Sequence, residues 1–503
     1  LVRFVRRAVI AWVFATSLVA APPVMSAQWR PGGITPTPAT LADVLAVSAR
    51  AAGSDDPRLA QRREHWTYIV GPRRIPVSVA VRGADYRTSL ELDGLNYTAG
   101  RRDGAHWRGD GNGMVHGVEA DLQGDALDRA PQAVFAIDPA ICTLVGEARL
   151  PAPAWVIATH PDGDKPVFLY VDEGTGSIVR EVMRDGKRVV TIRFDNFAPF
   201  DGAVRARHWH IVDGNTANTL DVTVDAIEPG VVGPDEVAFP DRHPFAAATP
   251  LARSQTLDSS FRGENISIKV DVAGRPAWFI LDCGTTSITV DPSVAARFGV
   301  ATLEHAVLPQ LAVGPLHLDH VSVLTVPFWG EGLLGFDFFF GHVIEIDYPH
   351  RRVRVLSDDD ARATFADPKT TILTANVDQG LPLVRAGFGP AQSNTFAIDT
   401  GSAHLYVMDA FMAQFADEIA RHWTPAGRPF VQRYLEGGIE LQPYRVARFD
   451  FGGAQARDLI VGGQVPTTRT DDLAIPFDGI IGTDILANFD LYFDYDHGRL
   501  GLR

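Results

Sequence analysis

The chain has 503 residues, 46% apolar and 21% charged, which is the balance of a folded globular protein with room for several domains. A formal charge of −15 and the lack of any long Lys/Arg run exclude nucleic-acid binding as its organising feature. Two cysteines, Cys142 and Cys283, exclude both a disulfide-stapled scaffold and a Cys-based metal site, so the fold must rest on burial.

Arg3, Arg6 and Arg7 precede a mostly apolar run, 8–21, that is too short to span a bilayer comfortably. With Ser26 and Ala27 closing the run, residues 1–27 read as a secretory signal peptide, and the mature protein is expected in the periplasm or outside the cell. A Pro-rich stretch follows. Leu41, Val44 and Leu45 then share a helical face, with Gly53 as a stop signal. From residue 65 to about 235 the sequence predicts antiparallel β-structure. Short β-favouring runs such as 77–81 are separated by turns at 102–104, 109–113, 162–164, 173–176 and 184–186, rich in Asp-Gly and Asn-Gly. A helical patch at 122–140 interrupts it. Pro240, Pro244, Ala246 to Ala248 and Pro250 mark a linker by composition.

Residues 168–172, 176–181 and 191–194, followed by a strand around 208–212, resemble the LolA-like fold of periplasmic lipoprotein carriers. The resemblance implies an open half-barrel with an apolar interior, a place for an apolar or lipid ligand, and no catalytic residue.

The C-terminal half repeats itself. In the first copy a strand at 266–272 turns and a second strand, 278–281, delivers Asp282-Cys283-Gly284-Thr285. Asp291 and Pro292 then open a short helix ending at Gly299. In the second copy 395–398 delivers Asp399-Thr400-Gly401-Ser402, and Asp409 opens a helix. Each copy has a later apolar-apolar-Gly element, Leu333-Leu334-Gly335 and Ile480-Ile481-Gly482. At the same distance beyond each comes Asp-Tyr-x-His: Asp347, Tyr348 and His350, then Asp494, Tyr495 and His497.

An Asp-Thr/Ser-Gly-Thr/Ser loop after an apolar strand, with the later apolar-apolar-Gly, resembles the retropepsin-like and pepsin-like aspartic peptidases, here in tandem over about 255–503. The resemblance implies two β lobes about a pseudo-two-fold axis, with Asp282 and Asp399 facing each other as catalytic residues. Two carboxylates that close cannot both ionise, so they share one proton and work as base and acid on a water and a peptide carbonyl. Gly284 and Gly401 allow close backbone approach. Thr285 and Ser402 are expected to donate their hydroxyls to the carboxylates and to set an optimum below about pH 6. Cys283 departs from the family at the position that bonds across to the other loop, where Thr400 keeps the usual residue; a thiol is a weak partner, so the grip should be looser there. The first copy is short between Val300 and Val313, where a substrate-covering flap is expected. Tyr434, Glu436, Gly437 and Gly438 mark a flap hairpin in the second.

The expected architecture is mainly β: a signal peptide at 1–27, a LolA-like domain at 28–240, a linker at 241–258, and peptidase lobes at 259–365 and 366–503. The expected function is an exported aspartic endopeptidase acting on peptide or protein substrates, without cofactor or metal. The alternative is a non-catalytic binding protein for a peptide or apolar ligand, on a decayed peptidase scaffold. His317 and His320 should point to opposite strand faces. His208 and His210 share a face but lack an evident third ligand. His350 and His497 read as turn residues, Phe336 and Phe338 to Phe340 as core, and Ser287 has no His–Asp context.

Overall fold

Alternation of apolar and polar residues forces one-sided burial on a strand, and 73–82 show the result: Ile75, Val77, Val79 and Val81 are buried while Pro76 and Ser78 face outward. The computed structural model describes residues 31–503 except 53–59, 93, 104, 114, 119–139, 141, 150, 160–166, 186–187, 201–202, 213–218, 240–244, 248–249, 264, 300–304, 378–379, 435–436 and 466–476. The signal peptide, the Gly53 stop, the 162–164 turn, nearly all of the 122–140 helical patch and Glu436 lie outside the described residues. The chain divides into two compact units, Leu1–Asp241 and Arg242–Arg503.

In the first unit the described strands are β1 (Gln61–Val70), β2 (Arg73–Arg82), β3 (Asp85–Leu92), β4 (Leu95–Arg102), β5 (Ala105–Gly109), β6 (Val115–Val118), β7 (Cys142–Arg149), β8 (Pro153–Thr159), β9 (Val167–Asp172), β10 (Ile178–Asp185), β11 (Arg188–Phe200), β12 (Ala203–Val212) and β13 (Thr219–Pro229). They form one antiparallel sheet in which β6 to β1 run on, through the β1–β13 pairing, into β13 to β7. Helix α1 (Leu41–Ala52) opens where Thr40 and Asp43 cap each other, and buries Val44. Thr35 bridges to Glu147 and covers part of edge strand β7.

The interior is apolar over most of its area, with Trp209 edge-on to Trp66 at 4.8 Å. It also holds a buried ion-pair group. Buried Glu64 takes Arg62 at 2.6 Å, Arg205 at 3.4 Å and the Trp66 indole N–H at 2.9 Å. Burial alone would raise Glu64, but the two guanidinium groups hold it below the usual carboxylate range; burial brings Arg205 down to about 10.

The second unit contains β14 (Ala246–Ala247), β15 (Gln255–Thr256), β16 (Ser259–Arg262), β17 (Asn265–Val272), β18 (Arg275–Leu281), β19 (Thr289–Val290), α2 (Pro292–Arg297), β20 (His305–Val313), β21 (Leu316–Thr325), β22 (Gly332–Leu334), β23 (Ile344–Asp347), β24 (Arg352–Val355) and α3 (Asp358–Ala366). It continues with β25 (Thr371–Asn376), β26 (Leu383–Phe388), β27 (Ala391–Ile398), β28 (Tyr406–Val407), α4 (Asp409–Gln414), α5 (Ala416–His422), β29 (Thr424–Pro425), β30 (Phe430–Tyr434), β31 (Gly437–Phe451), β32 (Ala454–Gln464), β33 (Gly479–Ile481), α6 (Thr483–Leu486), β34 (Asp490–Asp494) and β35 (Arg499–Leu502).

The sequence repeat is a topological repeat. The first half orders its strands β17-β18-β22-β19-β21, and the second orders them β26-β27-β33-β28-β32. In each, the motif strand is parallel to the later apolar strand (β18 with β22, β27 with β33), and a second pair is also parallel (β19 with β21, β28 with β32). Strands β15, β24, β23, β34, β35 and β25 form a further run in which β23 pairs antiparallel with β34 and ties the halves together. Asp347 binds His350 at 2.8 Å and Arg352 at 2.9 Å; Asp494 binds His497 and Arg499, both at 2.8 Å, so both repeated histidines close turns.

Two expectations change here. The linker is partly structure: β14 pairs β21, β15 pairs β24, and Phe245 is 1% exposed with its ring against Phe338. Composition cannot show that a strand elsewhere offers these residues an open edge. The short first copy is also narrower than expected, because 305–313 are the core strand β20, with Leu308 and Leu311 buried.

Candidate active site

The backbone N–H of Asp282 bonds to Leu334 O at 3.0 Å, and that of Asp399 to Ile481 O at 3.1 Å. Each motif strand thus hands its carboxylate to the end of the parallel strand beside it. Gly335 and Gly482 are required by close approach: a Cβ there would fall 2.3 Å from Ser287 O and 2.6 Å from the His404 backbone.

The two loops meet. A Cβ on Gly284 would stand 2.2 Å from Asp399 Cγ, and one on Gly401 2.5 Å from Asp282 Cγ. The two half-buried carboxyl groups are hydrogen-bonded to each other. Thr400 Oγ1 donates to Leu281 O at 2.9 Å and accepts from Cys283 N–H at 3.1 Å. Cys283 mirrors it, its Sγ–H donating to Ile398 O at 3.2 Å and its Sγ accepting from Thr400 N–H at 3.4 Å. Both sulfur contacts are 0.3 Å longer than their oxygen counterparts, the difference expected from the larger radius of sulfur. Burial pushes the thiol up, which keeps its S–H available to donate.

Thr285 and Ser402 do not act as the sequence suggested. Their hydroxyls turn to the carbonyls of Ser287 and His404, at 3.5 and 3.3 Å. Main-chain amides serve the carboxylates instead: Gly284 N–H reaches Asp282 at 3.0 Å, while Gly401 and Ser402 N–H reach Asp399 Oδ1 at 2.8 and 3.1 Å. Burial raises both acids. The Asp399 charge lifts Asp282 further, to well above the ordinary carboxylate range, while the amide donors pull Asp399 back. Tyr348 and Tyr495 of the Asp-Tyr-x-His repeat pack near this site; the buried Tyr495 ring lies 4.9 Å from Phe336, and Tyr348 lines the cavity beside His404.

The flap candidate is the β30–β31 hairpin, in which Tyr434 pairs with Gly437 and Arg433 with Gly438. At its root Phe430 lies edge-on to His404 at 5.6 Å, and Ile439 and Leu441 join a core cluster with Leu383, Tyr406 and Ile480. The hairpin outer face is open, with Val431 61% exposed. Among the described residues the first half has no counterpart of β30. A cavity of about 180 Å³ opens beside His404, between Phe261 and Tyr348 of one half and Asp484 and Ala487 of the other.

One carboxylate group elsewhere, Glu345, Asp347 and Asp490, has donor oxygens within 4.8 Å of one another. Arg354 on Glu345 and Arg352 on Asp347 supply positive charge in a cation's place, so the cluster reads as an ion-pair network. His317 and His320 gain no shared ligand from the fold among the described residues.

No protein-family model matches the chain, and no curated protein matches it. Among solved structures, a LolA superfamily protein from Nitrosomonas europaea is similar at 10% identity, TM-score 0.31, over 40% of this chain and 98% of that one. A DUF1329 family protein from Desulfovibrio piger is similar at 12% identity, TM-score 0.30, over 39% and 95%. An outer membrane lipoprotein-sorting protein domain from Vibrio parahaemolyticus is similar at 9% identity, TM-score 0.31, over 38% and 95%. No helix among the described residues is long and apolar enough to cross a membrane.

Proposed function

We propose that this chain is an exported aspartic-type endopeptidase that hydrolyses peptide bonds with water activated by Asp282 and Asp399. The observation that carries this reading is the meeting of the two loops, each glycine against the opposite carboxylate. Asp399, served by two amides, takes a proton from water, and the resulting hydroxide attacks the scissile carbonyl carbon. Asp282 gives its proton to the carbonyl oxygen. Collapse of the tetrahedral intermediate returns that proton to Asp282, and the proton held by Asp399 passes to the leaving amine. The β30–β31 hairpin covers the substrate from one side.

The single-proton form works only between the two titrations of the pair. Raised carboxyls move that window upward, so the alkaline limb of the rate profile belongs above the ordinary carboxylate range. The test is a pepstatin-sensitive peptide digest across pH. Asp282→Asn and Asp399→Asn should each lose at least about a thousandfold in kcat. Activity surviving both substitutions would sink the reading.

The second reading is a non-catalytic binding protein. It is favoured by a narrow pocket in the first unit where α1 lies over the sheet, lined by Ala51, Ile178, Phe194, Phe197 and Val204 with Glu181. Lipid that copurifies with the full chain and is lost when residues 28–241 are removed would support it.

A further inference from the structure

The outer face of β11, β12 and β13 carries a constellation that one strand could not display. His208 and His210, two residues apart on β12, point the same way. In register, Asp195 of β11 stands opposite His208, and Asp221 of β13 opposite His210. His208 Nδ1 lies 2.9 Å from Asp195 Oδ1, while its other ring nitrogen, Nε2, lies 3.2 Å from Asp221 Oδ1. His210 Nδ1 lies 2.7 Å from that same Asp221 oxygen. About a third of each of His208, His210 and Asp221 is exposed, so ions in solvent reach them.

We propose that His208, His210 and Asp221 form a surface site for a borderline divalent transition metal such as Zn²⁺ or Ni²⁺, with Asp195 as its positioning residue. Two ligands on a tetrahedral ion at about 2.0–2.1 Å stand about 3.3 Å apart, close to the separation of His208 Nε2 and Asp221 Oδ1. A metal-bound imidazole characteristically donates its other N–H to a carboxylate, which fixes tautomer and ring plane; His208 Nδ1 against Asp195 is that arrangement. Two imidazoles and one carboxylate suit Zn²⁺, Ni²⁺ or Cu²⁺ rather than Ca²⁺ or Mg²⁺. As placed, the donor atoms of the three residues do not all lie within 4.8 Å of one another; His210 completes the set by turning its ring and exchanging the contact to Asp221 for the metal, with release of any proton held there. Arg193 stands opposite His210 on β11, and the two carboxylates offset its charge.

The test is calorimetric titration of the full chain with Zn²⁺ alone and Ni²⁺ alone at pH 7.5, with thermal melts to show that each variant is folded. One saturable site is expected, lost in His208→Ala and in His210→Ala. Asp195→Asn should weaken it about 10- to 100-fold without abolishing it, the mark of a group that orients a ligand. His317→Ala with His320→Ala should change nothing. No saturable binding, a site surviving either loss at β12, or wild-type affinity in Asp195→Asn overturns the proposal.

Discussion

Sulfur at position 283 and oxygen at position 400 make the same pair of contacts, so the grip survives substitution with only a change of length. The motif made Asp282, Asp399 and their glycines legible as a repeated pair, because the glycine two residues beyond each acid lets the opposite carboxylate approach closely. The partners of Thr285 and Ser402 were not legible, since hydroxyl direction is chosen by turn torsions that no residue type reveals. The same holds for Asp490, which faces Asp347 in register. Burial raises it to about 6, against a hydrogen bond from Tyr492 and with Glu345 and Asp347 pushing the same way as burial. A carboxyl raised in the folded state favours folding while protonated. That contribution is full below pH ~4 and is lost as pH climbs through about 6. Asp490→Asn should therefore melt higher than wild type at pH 7.5, by about 1 kcal/mol after solvent screening of this partly exposed side chain, and show no gain at pH 4. Equal offsets in melts at both pH values would contradict this.

At the scale of elements, period-two alternation and turn residues made much of the sheet readable before any contact was known, as along β2. Helix α2 was readable from its cap and first residue, and Asp291 does accept from Ser293 N–H. Strands β14 and β15 were not, because two residues pair only where a partner edge is waiting. Residues 303–309 are equally instructive: they include the start of β20, so trimming them would damage the core and reveal nothing about a flap. The informative change is in the second half. Replacing 433–438 with a two-residue turn should lower kcat/KM by on the order of tenfold or more, with little change in melting temperature, because the packed root of the hairpin is at Ile439 and Leu441. An activity loss that merely follows a fall in melting temperature would assign the hairpin a structural role instead.

For the whole molecule, the two units have separate cores, and the boundary near 241 sits ahead of Phe245. A fragment starting at 242 should fold and keep both carboxylates in register. One starting at 259, where composition places the end of the linker, lacks Phe245, β14, β15 and Leu257. It should be less stable by more than about 3 kcal/mol in urea unfolding, the cost of an emptied aromatic site. Equal stability of the two fragments would count against the assigned packing. The amino-acid sequence alone determined that the chain is mainly β and that its second half is built twice, with an acid after each motif strand; local periodicity and spacing are properties of neighbouring residues. Only the tertiary structure decided which groups meet: the two motif loops, the amides that serve the carboxylates, and the carboxylates of β11 and β13 beside the histidines of β12. Those contacts join residues far apart in the chain, and their distances follow from strand order and register, which no local pattern encodes.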